Sequence, residues 1–155
     1  MEQDPLTHLG NRSAYEHTLA RLHEEGRTGG AIFCDVNGLK YRNDHLGHAS
    51  GDELLTDMAE LLRTHFRSSD CFRISGDEFV ILIPQPDATV FNARASRFHA
   101  ATWMMDPPIA AVGWDHGADI MEAVRNAEVR MYADKKLFYG HAKYEHLKRH
   151  DQPPF

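Results

Sequence analysis

Apolar positions along the chain alternate between helical stripes and short continuous runs. Ser13 and Glu16 form an S-x-x-E capping box, Tyr15, Leu19 and Leu22 share one helical face, and Gly26 supplies a stop, which predicts a first helix. Residues 30–36 form an apolar run of buried-strand length that carries a carboxylate, Asp35, near its end. Residues 37–47, containing Asn and Gly, read as a loop. A second box at Ser50 and Glu53 opens a helix with Leu54, Leu55, Met58, Leu61 and Leu62 on its apolar stripe. Residues 71–74 and 79–84 are apolar runs flanking Ser75-Gly76-Asp77-Glu78, the composition of a hairpin turn with acids at its tip. Asp87 starts a helix with Phe91, Ala95 and Phe98 facing inward, Pro107-Pro108 breaks the chain, and residues 109–113 read as another strand. A last helix carries Ile120, Val124, Ala127 and Met131.

Set apart from the first helix, this order is strand, helix, strand, strand, helix, strand, then helix. It predicts an α+β fold with a ferredoxin-like, palm-type βαββαβ core: a mainly antiparallel central sheet with helices on one face, plus an N-terminal and a C-terminal helix. The 155 residues suit one domain. We expect it to span residues 1–140, followed over 141–155 by a polar, mobile tail rich in His and Lys that ends on Pro-Pro-Phe.

Composition narrows the function. Hydrophobic residues at 42% and charged residues at 26% are globular values. Seventeen Lys and Arg against 23 Asp and Glu leave a net charge of -6, which argues against nucleic-acid coating but allows a small anionic ligand where positive charge is local. Cys34 and Cys71 lack any CxxC spacing and read as buried thiols of a reducing compartment. The acidic start Met-Glu-Gln-Asp-Pro is unlike a signal peptide and no apolar run is long enough to span a bilayer, so a cytoplasmic location with no membrane contact is expected. Among the 11 histidines, His146 and His150 have the i, i+4 spacing of a helical metal pair, but no third ligand is evident and no zinc or nickel site is expected. Trp103-Met-Met105 reads as packing.

In a split βαβ sheet the first strand and the hairpin lie side by side, so Asp35 can meet Asp77 and Glu78. Three converging carboxylates repel one another unless a cation neutralises them, and an oxygen-only donor set favours a hard ion such as Mg²⁺; the alternative is three separately solvated turn acids. In Asp35-Val-Asn-Gly-Leu-Lys40 a glycine separates the first acid from a lysine able to meet phosphate, and free backbone N–H groups in such a turn can hold phosphate oxygens. Asn43 and Asp52 together could read guanine, whose N1–H and N2–H₂ are donors; Asp52 is equally an early-helix acid suited to the macrodipole.

Five blocks in order carry a family resemblance: Asp4-Pro-Leu-Thr-His-Leu-Gly-Asn-Arg12, Asp35-Val-Asn-Gly-Leu-Lys-Tyr-Arg-Asn-Asp44, Gly47-His-Ala-Ser-Gly-Asp52, Arg73-Ile-Ser-Gly-Asp-Glu-Phe79 and Met131-Tyr-Ala-Asp-Lys135. The chain resembles the GGDEF family of diguanylate cyclases over nearly its whole length, with a degenerate Ser-Gly-Asp-Glu-Phe signature. The resemblance implies condensation of two GTP into cyclic di-GMP with release of pyrophosphate. It implies two Mg²⁺ (or Mn²⁺) per active site on Asp35, Asp77, Glu78 and the Val36 carbonyl. Lys40 and Lys135 would then steady the triphosphate, the Gly38 and Leu39 amides and Gly76 would receive it, and Asn43 and Asp52 would select guanine. Two GTP must react with each other, so a homodimer is implied, at least transiently. The blocks occupy residues 4–138, and the expectation is a catalytic unit, excised or stand-alone, whose sensor domain or partner lies outside this chain.

Three departures stand out. Ser75 replaces the first signature glycine; it is tolerated if it precedes the turn's central residues and disfavoured if it needs positive φ. Arg67-Ser-Ser-Asp70 resembles the family's product-inhibition motif but sits one residue closer to the signature, so it reads as a shifted inhibitory site or as an ordinary loop pair. Tyr139 stands where the family's ending has a phosphate-binding arginine, with Lys136 and Lys143 as substitutes. These departures motivate an alternative: a catalytically silent domain that binds GTP or a protein partner.

Overall fold

A computed structural model describes residues 2–148. The elements are α1 (Arg12–Glu24), β1 (Gly29–Val36), α2 (Leu39–Leu46), α3 (His48–His65), β2 (Cys71–Arg73), β3 (Glu78–Ile83), α4 (Ala88–Trp103), β4 (Ala110–Gly117) and α5 (Ile120–Gly140), with 3-10 turns at Ser68–Asp70 and Ala142–Leu147. The four strands form one sheet in the order β2-β3-β1-β4, with every neighbouring pair antiparallel. This is the expected βαββαβ core, and β1 is buried along its full length because strands flank it on both sides and helices cover both faces.

Helices cover both faces, which corrects the one-face expectation. Side chains alternate along a strand, so Ile32, Cys34 and Val36 of β1 pack with Met58 of α3 and Phe91 and Phe98 of α4, while Ala31 and Phe33 pack with Leu22 of α1 and Ala127 and Met131 of α5. The crossover helices α3 and α4 thus lie on one face, and the two terminal helices close the other. At Gly113 the α5 backbone presses on β4 so closely that a Cβ would come within 2.1 Å of Met131 N.

Helix starts differ from the sequence reading. Asn11, not Ser13, caps α1, accepting the Ala14 N–H at 3.0 Å, and Asp87 caps α4 as expected. Residues 39–46 are helical rather than a loop; α2 buries none of its residues and so has no apolar stripe to announce it. Gly47, at φ 89°, ends α2 and caps α3 three residues before the expected box at Ser50, a conformation that suits glycine. β4 runs to Gly117, four residues past the expected strand end.

The expected tail is docked at its start. In the 3-10 turn Ala142–Leu147, Leu147 is buried in a cluster with Phe138 and Tyr139, and Tyr144 stacks on Phe138 at 4.9 Å between ring centroids. Lys143 and Tyr144 both bond the Asp106 carboxylate, at 3.0 and 2.9 Å. Residues 149–155, including His150 of the histidine pair, lie outside the described residues. Cys34 and Cys71 are free and buried, as expected, and burial pushes the Cys71 thiol up to about 12. Within the Trp103-Met-Met105 run, Met104 is 86% exposed, so packing does not extend to it. No helix among the described residues is long and apolar enough to cross a membrane.

Candidate active site

The acids gather at one end of the two central strands. Asp35 pairs with Glu78 across β1 and β3, and opposite residues of an antiparallel pair project to the same face, here the face covered by α5. The Asp77 carbonyl accepts the Val36 N–H at 2.8 Å, joining the hairpin tip to the end of β1. From α5 the buried Lys135 reaches Asp35 Oδ2 at 3.1 Å. Asp35 is itself buried, and its Oδ1 has no hydrogen-bond partner among the described residues. Burial, then the Asp77 charge, push the Asp35 carboxyl up to about 7 against the opposing pull of Lys135, and Glu78 adds to the push.

A buried acceptor with no donor, in a field of like charge, is what a cation would relieve, and the carboxylate and carbonyl oxygens here form the hard donor set that Mg²⁺ or Mn²⁺ takes. The residues therefore fit a divalent ion. Among the described residues no three His, Cys, Asp or Glu side chains already stand close enough together to form a closed metal cage. The same α5 face adds Glu128 and Tyr132, both held above their ordinary values by burial and then by neighbouring acids.

The other residues singled out in the sequence lie on α2, on α3, in the hairpin turn, beside β2 and at the end of α5. Gly38, at φ 72°, lies at the junction of β1 and α2, a left-handed conformation that only glycine adopts freely. Leu39 is the first residue of α2, and Lys40 is exposed and paired with Asp44 at 3.1 Å. Asn43 lies against α3 at Gly51, where a Cβ would come within 1.7 Å of its Oδ1; the next residue is Asp52, exposed on α3. The α2 and α3 packing thus brings the two guanine candidates to neighbouring positions, beside the Arg42 to Ser50 bond at 2.8 Å.

Among the described residues the only non-glycine with positive φ is His8, near the N-terminus, so Ser75 in the hairpin turn needs no glycine-like backbone. Its hydroxyl donates to Glu78 Oε1 at 2.6 Å, and the Gly76 carbonyl accepts from the Arg73 guanidinium at 2.9 and 3.2 Å. Arg67 precedes the 3-10 turn that ends at Asp70, beside edge strand β2; burial raises the Asp70 carboxyl against the pull of Arg67 and Arg94. Tyr139 is buried in the cluster with Phe138, Lys136 is exposed, and Lys143 is engaged at Asp106.

Among the buried polar residues, Asn37 and Asp134 make contacts that the sequence reading did not foresee. Asn37 donates from Nδ2 to the Pro108 carbonyl at 3.0 Å, tying the end of β1 to the segment before β4. Asp134 accepts the Val112 N–H at 2.9 Å and lies 3.1 Å from His99 Nε2. The signal for Asp134 was available: it falls with Lys135 on the stripe of Ala127, Met131 and Phe138, and charged residues on a buried stripe need specific partners.

A palm-type antiparallel sheet carrying a lysine-paired buried acid at the end of its central strands defines an α+β domain with its acids gathered at one sheet end. The chain matches the family model "Diguanylate cyclase, GGDEF domain" over residues 1–137 and belongs to that family. It is 33% identical over 151 residues to the probable diguanylate cyclase DgcE of Escherichia coli K12, covering 85% of this chain and 14% of that protein. It is also 26% identical over 147 residues to the cyclic di-GMP phosphodiesterase PdeR of the same organism, covering 86% of this chain and 22% of that protein. The chain therefore spans about a fifth or less of these relatives. The diguanylate cyclase SiaD of Pseudomonas aeruginosa, solved in complex with its activator SiaC, superposes with a TM-score of 0.72 at 26% identity, over 87% of this chain and 58% of that one.

Proposed function

We propose that this domain is a divalent-metal-dependent diguanylate cyclase that condenses two GTP into cyclic di-GMP. The observation that carries this reading is the buried Asp35, with Oδ1 unpartnered, facing Glu78 across β1 and β3 and held by Lys135. Asp35, Asp77, Glu78 and the Val36 carbonyl are the groups that would hold two Mg²⁺ or Mn²⁺. When bound, such ions lower the pKa of the attacking hydroxyl and stabilise charge on the leaving oxygens. Each 3′-oxygen forms a bond to the α-phosphorus of the other GTP, the bond to the β-phosphate bridging oxygen breaks, and pyrophosphate leaves.

The chain's own residues bind and orient. Asn43 and Asp52 accept and donate along the guanine edge, a pattern adenine does not match. The Gly38 and Leu39 amides and Gly76 receive phosphate oxygens, while Lys40 and Lys135 bring positive charge to an acidic molecule. Lys40 must exchange Asp44 for phosphate, a small cost for an exposed pair. Because the two substrates attack each other, two chains meet face to face. Arg67 and Asp70, beside β2, remain the candidates for product inhibition.

Incubating the purified domain with GTP and Mg²⁺ should yield cyclic di-GMP by chromatography, and Asp77→Ala should yield none. A folded dimer that makes no product would overturn the reading. A second reading, a silent GTP-binding or partner-binding domain, is favoured by Tyr139, which is buried and brings no cation where the family has an arginine. Calorimetry showing GTP binding without turnover, unaltered by Ser75→Gly, would support it instead.

A further inference from the structure

We propose that Asp134 is a positioning residue for Lys135, acting through a clasp around the edge of the sheet. β4 is an edge strand, with α4 against one face of the sheet and α5 against the other. The close contact at Gly113 fixes how near α5 lies to β4, with Met131 N and Ala127 O occupying the space a Cβ would take. A contact of backbone on glycine has no interlocking side chain, so it sets distance without setting the helix's slide or roll.

Asp134 supplies that missing constraint. Its Oδ2 accepts the N–H of Val112, the residue before Gly113, at 2.9 Å, and both oxygens lie 3.1 Å from His99 Nε2 on α4. The residue is only 9% exposed, and a buried carboxylate is costly unless its hydrogen bonds are made, so the helix settles where both are made. The His99 ring is held in turn against Trp114 of β4, at 5.5 Å between centroids.

Lys135 is the next residue, and its position is inherited from this clasp. Its long side chain carries much rotamer freedom, yet its ammonium is delivered to Asp35 Oδ2 on β1, the strand adjacent to β4. A roll of α5 by a fraction of a residue would carry the ammonium away from that oxygen, and fixing the root of the side chain limits this. The catalytic part of the proposal rests on the reading of Lys135 as a GTP-handling residue; the structural part does not.

Two measurements on the full chain test it. Lysine-selective ¹⁵N NMR of the metal-free protein should show a protected Lys135 ammonium signal in the wild type and in Asp134→Asn, which keeps an acceptor for Val112. In Asp134→Ala that signal should broaden away, and an unchanged signal there would overturn the proposal. Should Asp134→Ala fail to fold, His99→Ala, which keeps the Val112 bond, should weaken the same signal, with an unchanged signal again overturning it.

In cyclase assays Asp134→Ala should lower kcat about tenfold with a smaller effect on KM. In a Lys135→Ala background the same change should cost less than about twofold, since partners that act as a unit are non-additive. Equal losses in both backgrounds would make Asp134 a general structural residue and overturn the assignment. A wild-type protein without product would sink the functional reading while leaving the NMR outcome to decide the clasp.

Discussion

At Asp35 one carboxyl is asked to be both buried and ionised. Its value rises from 3.8 in the unfolded chain to about 7 in the fold, so between these pH values the folded state holds the proton more tightly. Stability contributed by the protonated group is therefore present at low pH, declines as pH rises from about 4 to about 7, and is level above that. Thermal unfolding of metal-free wild type and Asp35→Asn across this range should show the difference moving in favour of the variant as pH increases. Because only the ionised form holds a cation, Mg²⁺ affinity measured by calorimetry should tighten over the same interval, by up to about tenfold per pH unit below the titration midpoint. A flat profile would mean that Asp35 is not the ligand. Ser75 acts at the same scale: its hydroxyl ties Glu78 Oε1, so Ser75→Ala frees that oxygen without altering the turn. Its Mg²⁺ affinity should change by no more than a few fold, and a larger loss would mean that the Ser75 hydroxyl holds Glu78 in place for the ion.

The element on which the proposed substrate choice rests most is the polar helix α2, which holds no buried residue of its own and packs on α3. Asn43 fits only because residue 51 is glycine, so Gly51→Ala should displace Asn43 and raise KM for GTP about tenfold with a smaller change in kcat. Equal kinetics in wild type and variant would remove Asn43 from the base site. On the same face of the sheet as α3, α4 anchors the core with Phe98, which is fully buried against Phe66 at 5.3 Å between centroids. Phe98→Ala should cost about 3–5 kcal/mol in denaturant unfolding, with no change in Mg²⁺ affinity at pH 8, because the cavity opens on the α3 and α4 face and the acids lie on the α5 face.

For the molecule as a whole, a net charge of -6 and the polyanionic substrate we propose are reconciled locally rather than globally. Lys135 is buried beside the acids and Lys40 stands on the neighbouring helix, so the positive field belongs to the site and not to a broad surface. Condensation between two chains carries its own signature. Product formed per chain should rise with protein concentration over about a tenfold range before it levels as dimers saturate. A constant value per chain at the lowest concentrations would require both GTP molecules to bind one subunit.

The alternation of apolar runs and stripes determined the βαββαβ order, and the short signature blocks named the candidate acids, lysines and base-reading residues, because strand burial and turn chemistry are written locally. Asp35 opposite Glu78 was legible because the pair follows from regular strands joined in a known order, whereas Asn43 beside Gly51 emerged only with helix α2. Helix α2 was not, since a helix stabilised by its neighbour needs no stripe. Only the tertiary structure showed α1 and α5 closing the second face, Leu147 docking the start of the tail, and Asp134 reaching around β4 to Val112 and His99. These contacts join residues far apart in the chain. Their partners are chosen by packing and by the need to satisfy buried polar atoms, which no local pattern records.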